Sequence, residues 1–271
     1  MPQRSEDAEA ATCARCGSNV RTRGLLHALT QELFGCGLTL PAMPRLKSLR
    51  GLGISDADLY ARLLEQKLSY RNTFFHREPR LDIAQVPESE TGQYDFVLSS
   101  EVLEHVAPPV DRAFQNISRM LRPNGVLVFT VPYSLQATTA EHFPELHEYN
   151  VARLGDRLVL VNRTREGNIQ TYENLVFHGG EGSTLEMRVF SEDHLRAMLR
   201  SAGFCSIRMY SEEYPEYGIV RSGVCSLPIA ARKGEFAFSV DAARELTEQF
   251  NGFMRSKWVR LGVWLKLMRS R

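Results

Sequence analysis

Gln93–Tyr133 reads QYDFVLSSEVLEHVAPPVDRAFQNISRMLRPNGVLVFTVPY, and its periodicities decide the fold. Tyr94–Ser99 is a short apolar run rich in β-favouring residues and too brief for a helix, so it predicts a buried strand. Val110, Ala113, Phe114, Ile117, Met120 and Leu121 recur at helical spacing and predict a helix over Asp111–Leu121. Arg122-Pro123-Asn124-Gly125 should end it, because Asn and Gly tolerate positive φ. Val126–Val131 is a second β-branched and aromatic run, closed by Pro132. Strand, helix, turn and strand make a βαβ unit whose strands are expected to lie parallel and buried. Ligands of open parallel sheets bind at the carboxyl ends of the strands. Ser99, Ser100 and Glu101 leave the first strand at such an edge, and Glu104 and His105 follow one turn later.

Length and composition fit this reading. A chain of 271 residues suits one α/β domain with an elaboration. With 43% hydrophobic and 24% charged residues it has the make-up of a soluble globular protein with a sizeable core. A net charge of +1 offers no global electrostatic case for a nucleic-acid partner. No apolar run reaches the ~18 residues of a membrane span, and MPQRSEDAEA lacks the apolar segment of a secretory signal. Five cysteines, an odd number, suit a reducing compartment better than a disulfide framework, so a cytoplasmic location is expected.

The blocks YDFVLSSEVLEHV and MLRPNGVLVFTVP resemble the class I S-adenosylmethionine-dependent methyltransferases, and the likeness extends over residues 46–233. The resemblance implies a Rossmann-like, mostly parallel sheet with an antiparallel last strand. It also implies S-adenosyl-L-methionine as cofactor, with Ser99, Ser100 and Glu101 beside it. Leu46–Ile54 would be the first strand, running into Gly51-Leu-Gly53-Ile-Ser55-Asp56. Family members carry an acidic residue and a G-x-G-x-G loop here. This chain departs from the pattern, with Arg50 in the acidic place and no third glycine. Gly51, Gly53 and Asp56 are the cofactor candidates, with Ser55 or Asp56 capping the next helix. Helix Asp58–Leu68 and strand Tyr70–His76 follow. Glu78 is the nearest acid for a ribose contact, and Asp82 in Arg80-Leu-Asp82-Ile83 matches the residue that meets the adenine amino group in the family. The short link from there to Tyr94 implies a compressed sheet lacking its third strand–helix unit.

Tyr133–Tyr149 leaves the last parallel strand where the family places its methyl acceptor. It holds His142, Glu145 and His147 beside Tyr133. Methyl transfer requires alignment and exclusion of water, and a weakly acidic hydroxyl also requires a base. Histidine suits that task, so His142 or His147 is the expected base. Residues 156–190 read as a β insertion over the acceptor, a hairpin of Arg157–Asn162 and Thr171–Phe177. His178 and Arg188 in it, with Tyr133 and Glu145, are candidate substrate contacts. The expected acceptor is an oxygen of a small molecule or saccharide.

Phe190-Ser191-Glu192-Asp193 carries a helix-capping signal, with Ser206–Tyr210 and Gly223–Lys233 as antiparallel final strands. Residues 1–44 form an N-terminal segment with a helix over Arg21–Phe34, expected to lie beside or over the cofactor as a lid. No metal is assigned. Cys13 and Cys16 form a CxxC that needs two more ligands, and His27 and Cys36 fit no standard finger spacing. Residues 45–235 would be the methyltransferase domain. Residues 236–271 read as one basic amphipathic helix bearing Phe250, Phe253, Met254, Trp258, Leu261, Trp264, Leu265 and Met268, suited to its own domain, a homodimer or an anionic membrane surface. Two rival readings stand beside the enzyme. One is a catalytically silent methyltransferase-like scaffold, suggested by the reduced glycine loop. The other is an enzyme acting on a lipid-linked substrate.

Overall fold

Phe96 and Leu98 point to one face of strand β3 (Tyr94–Ser100) and Val97 to the other, and all three are fully buried. A strand covered on both faces calls for helices above and below it. The computed structural model describes residues 12–178, 184–221 and 226–264. Helix α1 (Val20–Phe34) opens the chain, capped by Asn19 and ended by Gly35 in the left-handed region. Strand β1 (Leu46–Ile54), helix α2 (Asp58–Lys67) and strand β2 (Leu68–Thr73) follow, then β3, helix α3 (Asp111–Met120) and strand β4 (Leu121–Thr130). Strand β13 (Ser206–Met209) and strand β14 (Ile229–Arg232) complete a six-stranded sheet of order β13–β14–β4–β3–β1–β2. β1 to β4 run parallel, whereas β14 is antiparallel to both its neighbours.

α3 and helix α4 (Glu192–Ser201) pack on one face through Phe114, Ile117, Leu195 and Leu199. α1 and α2 pack on the other through Leu25, Leu29 and Leu64. The α/β class with a mostly parallel, Rossmann-like sheet is as expected. Among the described residues no strand–helix unit follows β2. Residues 74–93 hold one bridge, Phe74–Arg80, and a 3₁₀ turn at Glu88–Glu90.

Four local expectations change. Arg122–Gly125 is a bulge inside β4 instead of a turn before it, since pairing passes from Tyr94–Leu121 to Phe96–Val126. The insertion's hairpin is a three-stranded antiparallel sheet, because β7 (Glu148–Leu154) precedes β8 (Arg157–Arg163) and β9 (Ile169–Tyr172). The C-terminal segment is two helices, α5 (Val240–Met254) and α6 (Lys257–Trp264). α5 docks through buried Ala242 and through Leu246, which packs on the core, and through the Glu245 carboxylate, which accepts from Lys47 N at 2.9 Å and Ser48 N at 3.1 Å. Phe250 is 60% and Trp258 83% exposed, so the expected apolar face is uncovered among the described residues. Last, Ala57 caps α2 in place of Ser55 or Asp56, and without a side-chain bond. Leu265 and Met268 lie outside the described residues, as does the side chain of Trp264.

The remaining strands bind the insertion to the sheet's carboxyl edge. β5 (Tyr133–Ser134) and β6 (Ala140–Glu141) both pair with β12 (Arg188–Ser191), and β10 (Phe177–His178) pairs with β11 (Thr184–Leu185).

Gly51 pairs with Phe96, and a Cβ at Gly51 would fall within the Phe96 ring. Gly51→Ala is therefore expected to destabilise the fold by about 1–3 kcal/mol, the usual cost of overpacking a dense core. Urea unfolding measures this, and Phe96→Leu in the same chain should recover part of the loss.

Candidate functional site

β1, β3 and β4 end level with one another, and two of the turns that leave them contain a non-glycine residue in the left-handed region. Ser55 follows β1 at φ 57° and Glu101 follows β3 at φ 53°. Such residues are uncommon and are held in place by their surroundings. Ser55 N donates to Thr73 O at 2.7 Å. Asn72 clasps the turn, accepting from Asp56 N at 3.0 Å and donating to Asp56 O at 2.8 Å. Gly51 and Gly53, expected in a cofactor loop, lie inside β1. Gly53 leaves room for the Tyr70 hydroxyl, Asp56 and Asn72. The Asp56 carboxylate is buried and accepts from Tyr60 at 2.7 Å and from Tyr70. Burial raises its pKa to about 7, against the lowering effect of the two tyrosine bonds.

Glu101 accepts from Ser226 Oγ at 3.1 Å and lies 3.5 Å from Arg21 of α1. Its other oxygen, Oε1, is buried with no hydrogen-bond partner among the described residues, as is Ser99 Oγ. Ser100 Oγ lies 3.1 Å from Thr130 Oγ1. The Asp82 carboxylate accepts from Ala84 N at 2.8 Å, making a local Asx turn. Glu78 is exposed and accepts from Arg80 N at 2.9 Å.

A second group gathers beyond Glu101. The 3₁₀ turn Leu103–His105 carries Glu104, which is fully buried with neither carboxylate oxygen hydrogen-bonded among the described residues. Burial, then the Glu101 charge, pushes the Glu104 pKa well above the carboxylate range. His105 Nε2 stands 3.5 Å from Glu104 Oε1, and His105 Nδ1 lies 2.9 Å from Leu185 O. A carbonyl only accepts, so Nδ1 carries the proton and Nε2 the lone pair. Burial lowers the His105 pKa. The His178 ring meets His105 edge-on at 5.1 Å. Buried Glu186 reaches His178 Nε2 at 2.9 Å and His142 Nε2 at 3.0 Å. Glu104, His105 and His178 each offer a ligand atom within 4.8 Å of the others, and among the described residues they are the only trio of His, Cys, Asp or Glu so placed.

Four sequence candidates stand apart from this group. Arg188, expected to touch a substrate, is fully buried. Its guanidinium bonds Glu141 at 2.8 Å, Leu103 O at 3.2 Å and Val106 O at 2.6 Å, which joins β12 to the turn carrying Glu104. Glu145 is engaged by Gln170 and Asn162 in the three-stranded sheet. His147 lines the open side of that sheet with Tyr149, Val161 and Ile169. Tyr133 is buried and pairs with Phe190. Cys13 and Cys16 are exposed, while His27 is enclosed by the rings of Tyr210, Tyr214 and Tyr217. Sequence reasoning did not assign roles to Arg21, Glu104, His105 or Glu186. The Glu104-His105 dipeptide was the available signal; nothing local marks Glu186.

Residues 49–207 match a family described as a methyltransferase domain. No curated protein matches the chain. Among solved structures it is similar to the 1,6-didemethyltoxoflavin N1-methyltransferase of Burkholderia thailandensis, with 16% identity over 79% of this chain and 77% of that one and a TM-score of 0.42. A sugar N-methyltransferase from a Streptoalloteichus species is similar at 14% identity over 78% of this chain and 87% of that one, TM-score 0.44. A putative S-adenosylmethionine-dependent methyltransferase from Listeria monocytogenes gives 15%, 79%, 100% and 0.43 for the same measures. Likenesses this distant carry no acceptor over to this chain.

Asp56 makes stability pH-dependent. Its folded pKa of about 7 lies above the unfolded value, so the folded state holds the extra proton between the two. Stability should fall as pH rises through that window, by at most about 4 kcal/mol. Asp56→Asn cannot ionise, so its melting temperature relative to the parent should climb from pH 4 to pH 7.5. A flat difference would remove Asp56 as the cause.

Proposed function

Since the chain belongs to the class I S-adenosylmethionine-dependent methyltransferases, we propose that it methylates a hydroxyl oxygen of a small molecule or saccharide, with His142 as the base. S-adenosyl-L-methionine is the donor and, when bound, supplies an electrophilic methyl carbon on its sulfonium sulfur. The residues at the carboxyl edge fit such a ligand. Ser99 Oγ and Glu101 Oε1 are buried oxygens without a hydrogen-bond partner among the described residues, and groups of that kind ordinarily have one. Ser99, Ser100 and Glu101 would hold the donor with the Ser55–Asp56 turn, and Asp82 and Glu78 would serve its adenosine end.

The observation that carries the acceptor assignment is the Glu186 carboxylate shared by His142 and His178. An ionised carboxylate only accepts, so His142 Nε2–H donates to it and Nδ1 is left to take a proton. A hydroxyl nucleophile needs that help. Two other readings have observations of their own. Ser55 in the place a glycine would suit favours a catalytically silent scaffold. Exposed Phe250, Phe253 and Trp258 favour contact with a lipid-linked substrate at a membrane surface.

Isothermal titration with S-adenosylhomocysteine separates enzyme from scaffold. Micromolar binding weakened tenfold or more by Glu101→Gln is expected, and no heat at millimolar ligand would favour the scaffold. On an acceptor found by screening hydroxylated small molecules and saccharides, His142→Ala should lower kcat about 10²–10⁴-fold, the usual worth of a general base. His147→Ala should leave kcat unchanged. Equal kcat for parent and His142→Ala would exclude His142 as base.

A further inference from the structure

We infer that Glu104, His105 and His178 bind a divalent first-row transition-metal ion on the acceptor side of the carboxyl edge. Their ligand atoms lie within 4.8 Å of one another. An ion held at about 2.0–2.2 Å from each would draw them to roughly 3–4 Å, so a small contraction completes the site. Glu104 is the decisive group. It is fully buried, and among the described residues neither of its oxygens is hydrogen-bonded. A carboxyl group removed from water in this way keeps its proton unless a cation or donors reach it, and among the described residues the neighbour of its oxygens is the His105 ring at 3.5 Å, so there is room for an ion to take that place.

The histidines are prepared for the same task. The bond from His105 Nδ1 to Leu185 O turns the lone pair of Nε2 toward Glu104. Glu186 orients His178 through Nε2 at 2.9 Å, the carboxylate–histidine arrangement common behind metal ligands. Two imidazoles and a carboxylate are a borderline, nitrogen-and-oxygen donor set suited to Zn²⁺, Mn²⁺ or Fe²⁺. Three protein ligands leave a coordination position open, as at catalytic sites and unlike closed structural ones. That position would hold and acidify an acceptor hydroxyl, its proton passing to His142. This role rests on the methyl-transfer reading; binding of the ion does not.

The test uses the full chain with Cys13→Ser, Cys16→Ser, Cys36→Ser and Cys205→Ser, which removes the exposed thiols among the described residues, after chelator treatment. Titration with ZnCl₂ and with MnCl₂ should give one equivalent bound at micromolar Kd or tighter for at least one ion. Glu104→Gln and His178→Ala should each weaken it at least tenfold, and Glu186→Gln about 10–100-fold. Co²⁺ should develop visible d–d bands that are lost in His178→Ala. S-adenosylhomocysteine affinity and the thermal melt of each variant report whether the fold survives. Folded variants that bind metal as tightly as the parent, or a parent that binds neither ion below millimolar, would overturn the site. Metal binding without S-adenosylhomocysteine binding would instead remove the methyl-transfer reading and leave the site standing.

Discussion

β3 is hydrogen-bonded in parallel on both sides, and its pairing with β1 brings the Phe96 ring to where a side chain at Gly51 would lie. The register of the two pairings brings Ile54 opposite Ser99 and Ser100 opposite Thr130. The parallel strands therefore finish together, and the turns bearing Ser55 and Glu101 emerge side by side. Both glycines of the GxG are used in packing, so the reversal after β1 falls to a serine. The turn is held by the Asn72 amide and by a buried Asp56 bonded to two tyrosines.

The insertion is joined to this edge by polar contacts as well as apolar ones. Arg188 ties β12 to the backbone at Leu103 and Val106. Met187 N donates to Glu104 O at 2.9 Å, and Leu185 O meets His105. These bonds carry His178 and Glu186 to Glu104. A fully buried guanidinium is costly to desolvate, and its carboxylate and carbonyl partners offset that cost. Removing Glu141 or either carbonyl would loosen the approach on which the histidine–carboxylate group depends.

Much of the fold was legible locally. The apolar spacing of Ala113, Phe114 and Ile117 specified α3, and the β-branched and aromatic run Val126–Val131 specified β4. Ser191 caps α4 through His194 N at 3.1 Å, as its motif suggests. The short run between Asp82 and Tyr94 correctly left no room for a third strand–helix unit. Other features were hidden. The bulge at Arg122–Gly125 has the composition of a turn, and only pairing with β3 turns it into strand. Glu148–Leu154 is polar enough to resemble a loop, and pairing with β8 makes it β7. The apolar spacing of the C-terminal segment runs on through Arg255 and Ser256, where the helix breaks.

At the site the division is sharper. The sequence alone determined the βαβ unit, the edge at which chemistry would sit and the placing of Ser99–Glu101 there, because periodicity and capping depend on neighbours along the chain. Tertiary structure decided that His142 and His178 share Glu186 while His147 stands elsewhere, and that Arg188 is a buried tie. It also decided that Glu104 lies in the interior beside His105, without a hydrogen bond to its carboxylate among the described residues. These outcomes depend on desolvation and on contacts between segments far apart in sequence. Burial determines whether a charge needs a partner, and a residue's burial is set by what the rest of the chain packs against it.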